Sequence, residues 1–475
     1  MSRIWSMMDV GKRSLMNSQT GLQTVAHNIA NRTTDGYSRQ TVQFKTNEPV
    51  GFGKNRIGMG ARPGEISRTN NTYVEKQLEK EGNQMGFLEG RADMLGRVEQ
   101  VYNEQANKGL NQYMSDLFNA FREMSNNPES LASRTLVKES ADFLAKDFKR
   151  VSTQLDEIQS DIDYRVTTKI EEVNQTTKEI AQLNEKIQVV EMAGGRANDE
   201  RDRRDLLLKK LGEAINIRYA EGKDGSISVT AGNTALLVSG FSQRNLEVMA
   251  TPMGANKREG RVEIFYKSTD TSTPVNVTKQ LVGGHVGGLL DVRDNVINGL
   301  HDRMDELAYS FATQVNEAHF EGYNRYGRSG VILFELPTGL DGAAANIQVN
   351  RDIKEDVGQI AAAGAPNSPG DNRIANVLSA LQYKQVMEEN TATLDAYYGS
   401  VVGQIGVEAQ RANSAQTSQK DIYAQLRNIR ESISGVSLDE ETTKMIEYQK
   451  SFDASARLIR TADEMMDTVL NLKRM

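Results

Sequence analysis

Three histidines are the residues of this chain whose chemistry most suggests a metal site. Imidazole nitrogens are common zinc ligands, and the chain contains His285, His301 and His319. However, His301 and His319 lie eighteen residues apart on a predicted helix, and no set of acidic residues accompanies all three. We therefore interpret these histidines as polar side chains with hydrogen-bond partners, and we predict no metal ligands.

A glycine-rich run at residues 283–288 precedes a predicted helix, as phosphate-binding loops do. The run reads GGHVGG, which lacks both the Gly-Lys-Ser/Thr of a P-loop and the G-x-G-x-x-G order of dinucleotide-binding folds. We interpret it as a turn at a domain junction. The sequence therefore predicts no cofactor.

Acidic residues are numerous, and their tightest cluster is Asp439, Glu440 and Glu441. These three lie where a helix is predicted to begin, and negative charge in a first turn offsets the helix dipole. No serine lies in a G-x-S-x-G motif, and the chain contains no cysteine to act as a thiol nucleophile. We predict that the protein has no catalytic residues and is not an enzyme.

One enzymatic alternative stays open, a hydrolase that uses paired acidic residues. It would need a pair of acidic residues in a pocket of the β region described below. The acidic side chains available there are Glu247, Glu259, Glu263, Asp224 and Asp270. Their spacing indicates no catalytic pair.

Charge and composition restrict the classes of partner. The net charge is −7, from 57 basic and 64 acidic residues, which argues against a nucleic-acid surface. The mixed charges of residues 199–205 are typical of a solvated helix face. No apolar run is long enough to span a membrane, and the first is broken by Ser6, Asp9 and Lys12, so we expect no Sec signal peptide.

Heptad repeats at the two ends of the chain are the strongest structural pattern. Each end carries apolar residues at coiled-coil spacing, with small residues such as Gly11, Ser18, Ser455 and Ala462 between them. We define the terminal seam as Met8, Leu15, Leu22, Val25, Ile29, Met445, Phe452, Ile459, Met466 and Val469. We expect the two terminal helices to pair with each other. The alternative is that each packs separately on a globular body.

The middle of the chain predicts long helices and an inserted β region. An apolar 4-3 rhythm over residues 131–190 indicates one long helix that ends at Gly194 and Gly195, after which Asn198 is expected to cap a charged helix. Alternating residues from Ile215 and the turn Asp224-Gly225 indicate β-strands over residues 215–281. Helices return after residue 288.

These patterns predict a mainly α protein with a small inserted β domain. The expected domains are a terminal coiled coil (residues 1–40 and 436–475), a long-helix rod domain (41–211 and 286–435) and the β domain (212–285). Such nesting brings the chain ends together.

Motifs at both ends resemble a known family. Residues 27–31 (HNIAN) and 36–40 (GYSRQ) are similar to the amino-terminal signature of bacterial flagellar axial proteins, with Asn28, Asn31, Gly36, Tyr37, Ser38 and Arg39 as the matching residues. The extension SRQ resembles the hook-associated protein 1 family in particular. Residues 435–441 (GVSLDEE), 448–449, 462–465 (ADEM) and 470–472 (LNL) are similar to the carboxyl terminus of that family.

The resemblance extends through most of the chain, with two departures. Asp35 stands where the family usually has proline, which makes the turn less rigid. The segment at residues 334–371 is shorter than in many relatives, which implies that an outer domain is missing.

The resemblance implies a structural adaptor at the flagellar hook–filament junction, outside the cell and exported through the flagellar type III channel. Its implied partners are hook protein, a second junction protein, further copies of itself in a helical ring, and an export chaperone at the C-terminal helix. Nucleic acid and a membrane span are not expected. The alternative is another axial component, such as a hook, rod or second junction protein.

Overall fold

Helices dominate the computed structural model, which describes residues 2–52, 55–103, 108–250, 262–269, 271–337 and 339–472. The predicted mainly α fold with small β-sheets in the middle is confirmed. The α-helices in these ranges are α1 Ser2–Ala30, α2 Thr72–Val101, α3 Leu110–Asn126, α4 Leu131–Met192, α5 Asn198–Ala214, α6 Gly284–Asp291, α7 Asn298–Glu321, α8 Ala343–Asn346, α9 Arg351–Glu355, α10 Arg373–Ala380, α11 Leu394–Ser434 and α12 Leu438–Leu472.

Strands in the same ranges form small antiparallel sheets. They are β1 Gln40–Thr46, β2 Val50–Phe52, β3 Asn55–Ile57, β4 Ala61–Arg68, β5 Ile217–Glu221, β6 Ile227–Ala231, β7 Ala235–Ser239, β8 Ser242–Gln243, β9 Leu246–Ala250, β10 Val262–Tyr266, β11 Val275–Asn276, β12 Phe334–Glu335 and β13 Gln348–Val349. The sheet orders are β1-β4, β2-β3, β5-β6-β7-β8, β11-β10-β9 and β12-β13. The predicted hairpin is β5-β6, where Ile217 pairs with Ala231 and Gly225 adopts φ +77°.

The predicted long helix is α4, which runs without a break for 62 residues. Gly194, at φ +84°, follows its end as predicted. The expected cap of α5 is wrong, because the helix begins at Asn198 itself and that side chain donates to the Ile66 carbonyl, 2.8 Å away.

Two compact units divide the chain. One contains residues 1–83, 173–245 and 419–475, and the other contains residues 84–172 and 246–418. The predicted β region is therefore divided after Asn245, because each sheet packs on helices of its own unit. In the first unit Asn184 donates to the carbonyls of Ile227 and Gly240, and in the second Arg293 donates to the carbonyl of Val262. The three-part division expected from the sequence stays a prediction.

Aromatic packing forms the core of the second unit. Phe311 of α7 lies with its ring centroid 5.8 Å from Phe118 of α3, 6.5 Å from Phe148 of α4 and 5.9 Å from Phe334 of β12. All four rings are fully buried. The core thus joins three helices to the irregular segment after α7.

The predicted turn at residues 283–288 is wrong, because all but Gly283 of this run belong to α6. Its glycines serve helix packing instead. A Cβ on Gly288 would lie 2.1 Å from the carbonyl oxygen of Phe87 in α2, and a Cβ on Gly90 would lie 2.7 Å from the carbonyl oxygen of His285. A single turn of π-helix, Val292–Ile297, then connects α6 to α7.

We expect Gly288→Ala to destabilise the protein by about 2 kcal/mol or more, because α2 and α6 must separate to admit the methyl group. Urea unfolding followed by circular dichroism measures the change. Gly299→Ala is the matched control, since Gly299 lies in α7 with nothing within 4 Å of the added Cβ. The control should gain up to about 1 kcal/mol from helix propensity, and equal losses in both variants would contradict the packing argument.

Candidate assembly interface

The terminal helices α1 and α12 pack along each other through small residues. Ser18 Oγ donates to Ser451 Oγ at 3.0 Å, and Ser455 Oγ donates to Ser14 Oγ at 2.7 Å. A Cβ on Gly11 would lie 2.8 Å from the Ile459 side chain. Ser18, Ser455 and Ala462 are buried, so the small residues allow the backbones to approach closely. Pairing of the ends is observed, and its supercoil geometry stays a prediction.

The larger apolar residues of the terminal seam flank this contact. Val25 is buried and Val469 is exposed. The other members of the terminal seam are half-buried: Met8, Leu15, Leu22, Ile29, Met445, Phe452, Ile459 and Met466. Two further apolar side chains on α1, Trp5 and Met16, are 60% and 53% exposed, and Ile446 on α12 is 57% exposed. A single chain therefore leaves much apolar surface of both helices in water.

A hairpin supports α1 beside α12. Arg13 Nη1 donates to the Met59 carbonyl at 3.1 Å, and Asn17 Nδ2 donates to the Ala61 carbonyl at 3.0 Å. Phe44 of β1 meets the Tyr448 ring edge-on, with centroids 6.5 Å apart. The strands β1 and β4 thus hold the orientation of the terminal helices.

Asn28 is the hydrogen-bonding centre where α1 ends. Its Nδ2 donates to Glu441 Oε2 at 2.8 Å and to the Gln40 carbonyl at 2.9 Å. Its Oδ1 accepts from Tyr37 Oη at 2.7 Å and from the Gln40 amide at 3.0 Å. The side chain is 1% exposed, so every polar atom is satisfied without water. One amide thus joins α1, the following loop and the start of α12.

The rest of the amino-terminal motif forms a turn against α5 and α11. Gly36 adopts φ +79°, and Ser38 N donates to Asp202 Oδ2 at 2.7 Å. Arg430 Nη2 donates to the Gly36 carbonyl at 3.0 Å and to Ser38 Oγ at 3.1 Å. These contacts fix the turn from two sides.

Two other motif residues make more exposed contacts. Arg39 pairs with Glu440 in the first turn of α12, and its amide donates to the Ser434 carbonyl at 2.8 Å. Asn31 Nδ2 donates only within the local turn, to the His27 carbonyl at 3.1 Å and towards the His27 ring. The motif residues are thus brought together with α5, α11 and α12, and Asn31 is the most local of them.

Burial and nearby carboxylates shift the acid–base properties of this region. Burial, then the negative charges of Asp199, Asp202 and Glu441, raise the pKa of the Tyr37 hydroxyl, which therefore stays a proton donor. Burial also raises the pKa of Asp202, and the hydrogen bond and positive charge of Arg68 oppose that shift. Tyr37 and Asp202 therefore both have protein partners, Asn28 for the first and Ser38 and Arg68 for the second.

The interpretation of residues 199–205 as a solvated face is wrong for its central residues. Asp202 is 5% exposed and pairs with Arg68, with 2.8 Å between oxygen and nitrogen. Arg204 is 1% exposed and donates to Asn184 Oδ1 and to the Gly225 carbonyl. Protein groups replace water around these charges because α5 is covered on that side.

The acidic cluster lies in the first turn of α12, as predicted, but one member has a further role. Ser437 Oγ accepts from the Glu440 amide at 3.5 Å, next to Asp439. Glu441 is fully buried and accepts from Asn28 and from Lys444 Nζ, the latter at 2.8 Å. It therefore links the two terminal motifs as well as opposing the helix dipole.

Sequence reasoning missed Asp202 and Arg430, and it missed the buried roles of Gln40 and Glu441. One signal was available in α5, where Asn198, Asp202 and Asp205 recur at helical spacing and all bond to the β4 segment or the motif turn. For Arg430 the sequence offers no such signal, because its partners in the motif turn lie nearly four hundred residues away.

The histidines take structural positions. His319 is 1% exposed; its Nδ1 lies 2.8 Å from the Val331 carbonyl, and its Nε2 accepts from the Ala361 amide at 2.8 Å. His319 thus has the predicted hydrogen-bond partners, whereas the buried Nδ1 of His285 has none among the described residues. His301 Nε2 lies 3.4 Å from Asp156 Oδ1, and burial lowers the pKa of His285. No group of three or more metal-binding side chains occurs among the residues that the structure describes.

The acidic residues of the β region have ordinary partners. Glu247 pairs with Lys267 at 2.7 Å, Glu263 accepts from Asn276, and Asp224 accepts from Ser226 Oγ at 2.9 Å. The other two acids named above, Glu259 and Asp270, lie outside the described residues. In the described ranges, no helix has both the length and the apolar character required to cross a membrane.

Comparison with known proteins gives consistent matches. Residues 95–334 match the family described as flagellar hook-associated protein FlgK helical domain, and residues 431–472 match the family described as flagellar basal body rod FlgEFG protein C-terminal. A relative named flagellar hook-associated protein 1 from Bacillus subtilis is 28% identical over 98% of this chain and 97% of its own. Its namesake from Salmonella typhimurium is 23% identical over 98% and 100%.

A solved structure shows a similar fold. The flagellar hook junction protein FlgK from Burkholderia pseudomallei superposes with a TM-score of 0.68 at 16% identity, covering 75% of this chain and 100% of that one. At this identity the similarity concerns the fold.

We expect Asn28→Asp to destabilise the first unit by about 2–4 kcal/mol, because a carboxylate would face buried Glu441 and the Gln40 carbonyl. Chemical unfolding at neutral pH, with hydrogen exchange of α1 and α12, measures the effect. Asn31→Asp is the matched control and should lose less than about 1 kcal/mol, since its bonds are local and half-exposed. Comparable losses in the two variants would contradict the central role of Asn28.

We expect acid to destabilise the second unit through His319. Burial lowers the pKa of His319 from 6.5 to about 4, so the unfolded chain binds the proton more tightly. The stability from this neutral imidazole is complete above pH 6.5 and is lost as the pH falls towards 4, by up to about 3 kcal/mol. Unfolding of wild type and His319→Gln between pH 7.5 and 4.5 tests this, and equal pH slopes would refute it.

Proposed function

The chain belongs to the flagellar hook-associated protein 1 family, and from this membership we propose that it is a structural adaptor that joins the flagellar hook to the filament and transmits torque. The family is a structural one of the bacterial flagellum. The observation that carries the proposal is the pair α1–α12, whose flanks leave apolar residues in water.

The exposed residues of this pair suit contacts between copies in a tube. Trp5 and Met16 recur three helical turns apart on α1, on a face that otherwise carries Asp9, Lys12, Gln19 and Gln23. In a helical assembly each subunit makes heterologous contacts, so such residues meet a different surface of the neighbour. Many repeated contacts of this kind would carry torque without any single strong bond.

The partners follow from the same proposal. We infer that the chain contacts hook protein on one side and a second junction protein on the other, and forms a ring with its own copies. Residues 1–40 and 436–475 would line the inner tube, residues 41–211 and 286–435 the surrounding rod domain, and residues 212–285 the outer β region.

Export precedes assembly in this proposal. The chain would pass unfolded through the flagellar type III channel, without a Sec signal. A chaperone would cover the C-terminal helix beforehand, because Ile446, Met465 and Leu470 are exposed apolar residues there. Co-purification of the chaperone with a chain lacking residues 436–475 tests this, and undiminished binding would exclude that helix.

A second candidate function is supported by one observation. Residues 431–472 match a family described for basal body rod proteins, so α12 alone is compatible with another axial component such as rod or hook. The match over residues 95–334 favours the junction protein, because it covers half of the chain and names the hook-associated helical domain.

We expect Met16→Asp to prevent filament attachment while leaving the single chain folded, since this side chain is 53% exposed. The variant replaces the wild-type gene in a null strain, and attached filaments, swimming and flagellin in the medium are measured. Flagellin should be shed although the variant is exported and melts within about 2 °C of wild type. Gln19→Asp, which adds the same charge at an exposed polar position of α1, should leave filaments attached.

A second variant, with two substitutions, tests the terminal seam itself. Phe452→Asp combined with Ile459→Asp should lower the stability of the chain and also shed flagellin, because Ile459 packs against Gly11. Filaments that stay attached without the protein would refute the adaptor function and favour another axial role.

A further inference from the structure

A cavity of about 350 Å³ lies between the start of α4 and the irregular segment after α7. Its walls include Pro128, Glu129, Arg134, Asn324, Arg325 and Asn367. Two wall residues, Arg134 and Arg325, are arginines, which carry a positive charge at every physiological pH. Two are acids, Glu129 and Asp371, and the Asp371 carboxylate is ion-paired with Arg373 at 2.8 Å.

Arg134 is unlike the other buried arginines that the structure describes. Arg204, Arg293 and Arg430 each pair with at least one carboxylate: Glu221 for the first, Asp163 and Asp294 for the second, Glu75 and Glu431 for the third. Arg134 is 3% exposed, and in the described residues no carboxylate lies within ion-pair distance of its guanidinium. Its Nη atoms donate to the carbonyls of Pro128 and Ile360, and its Nε has no partner there.

Arg325 adds a second positive charge at the same cavity. Its side chain is exposed and makes no ion pair among the described residues, whereas its amide donates to the Gly358 carbonyl at 3.1 Å. Asn324, which is buried, fixes this loop: its Oδ1 accepts from the amides of Tyr326 and Arg328, both at 2.9 Å. The backbone that carries Arg325 is therefore fixed at the cavity, and its positive charge acts on Arg134.

The charges around Arg134 do not neutralise its guanidinium. Burial, then the positive charge of Arg325, lower the pKa of Arg134, while Asp356 and Tyr326 act in the opposite direction. Asp356 is itself engaged, because its Oδ1 accepts from the Gly358 amide at 2.8 Å and its carboxylate bonds with Tyr326. A buried cation without a counter-ion is costly, and an oxyanion would remove that cost.

We propose that this cavity binds an oxyanion, held by Arg134 and Arg325. A carboxylate or phosphate group matches the planar donors of guanidinium and fits the volume. The group comes either from an acidic side chain of a neighbouring protein or from a free anion. This site is separate from the terminal seam in sequence, and anion binding by the purified chain can be measured whether or not the chain joins hook to filament.

Thermal unfolding of the full chain tests the proposal. Malonate and inorganic phosphate are titrated at constant ionic strength, with potassium chloride as the balancing salt. The melting temperature of wild type should rise with the logarithm of one plus the ratio of anion concentration to dissociation constant, and a fit to that dependence gives the constant. Arg325→Gln should raise that constant at least tenfold, as expected for the loss of a charged hydrogen bond. Arg134 is kept intact because it also holds two backbone carbonyls.

Arg328→Gln is the matched control. Arg328 lies three residues further along the same loop, is exposed, and does not line the cavity. Its replacement removes the same charge and should leave the dissociation constant unchanged. If both substitutions raise the dissociation constant equally, the effect is one of general electrostatics and the proposed site is wrong.

The variant Glu129→Gln tests whether a carboxylate of the chain itself fills the cavity. Glu129 is exposed at the rim of the cavity and carries its own carboxylate. Saturable binding in this variant alone would mean that Glu129 occupies the cavity, and no saturable binding in either protein would mean that no oxyanion site exists. Both results overturn the proposal.

Experiments in cells distinguish the two sources of the oxyanion, a neighbouring protein and a free anion. If Arg325→Gln sheds filaments and Arg328→Gln does not, the group is an acidic side chain of a neighbouring protein. If both strains swim normally while the purified protein binds phosphate or malonate below about 1 mM, the ligand is a free anion. Either result supports the site, and the first can occur even if Met16 plays no part in attachment.

Discussion

The hydrogen bond between Asn28 and Glu441 is the interaction on which the terminal part of the structure depends. It joins the end of α1 to the beginning of α12, and both groups are buried. A buried carboxylate needs donors, and Asn28 and Lys444 supply them. The same amide also fixes Tyr37 and Gln40, so the turn that follows α1 is positioned by the contact between the two helices. Loss of that single donor would therefore affect three segments at once.

Small side chains extend the contact between α1 and α12 beyond this hydrogen bond. Gly11, Ser18, Ser455 and Ala462 occupy the middle of the α1–α12 contact, where Ile459 packs against Gly11. Apart from buried Val25, the larger apolar residues of the seam remain partly exposed. A heptad pattern read alone would place those larger residues at the centre. The close backbone approach explains the difference, because a narrow contact cannot cover side chains on both flanks. The surface left open is the part of the molecule available to other chains.

Elements with local signals could be predicted from the sequence. The 4-3 rhythm and the two glycines gave the extent of α4, and Asp224-Gly225 gave the β5-β6 hairpin. The buried charges could not be predicted in the same way, because Ser38 and Asp202 are 164 residues apart and Asn28 and Glu441 are 413 apart. Only the structure shows that protein groups, rather than water, are the hydrogen-bond partners of the buried carboxylates Asp202 and Glu441. The glycines of α6 were misinterpreted for a related reason, since their partner α2 lies almost two hundred residues earlier.

Trp5 has a spectroscopic consequence. It is the only tryptophan of the chain, and it lies on the water-facing side of α1. Indole emission moves to shorter wavelength when the ring leaves water, so the intrinsic fluorescence of this protein reports the environment of one position on one helix. The wild-type chain thus carries its own optical label at the surface proposed for assembly, and ring formation can be followed in solution without attaching a dye.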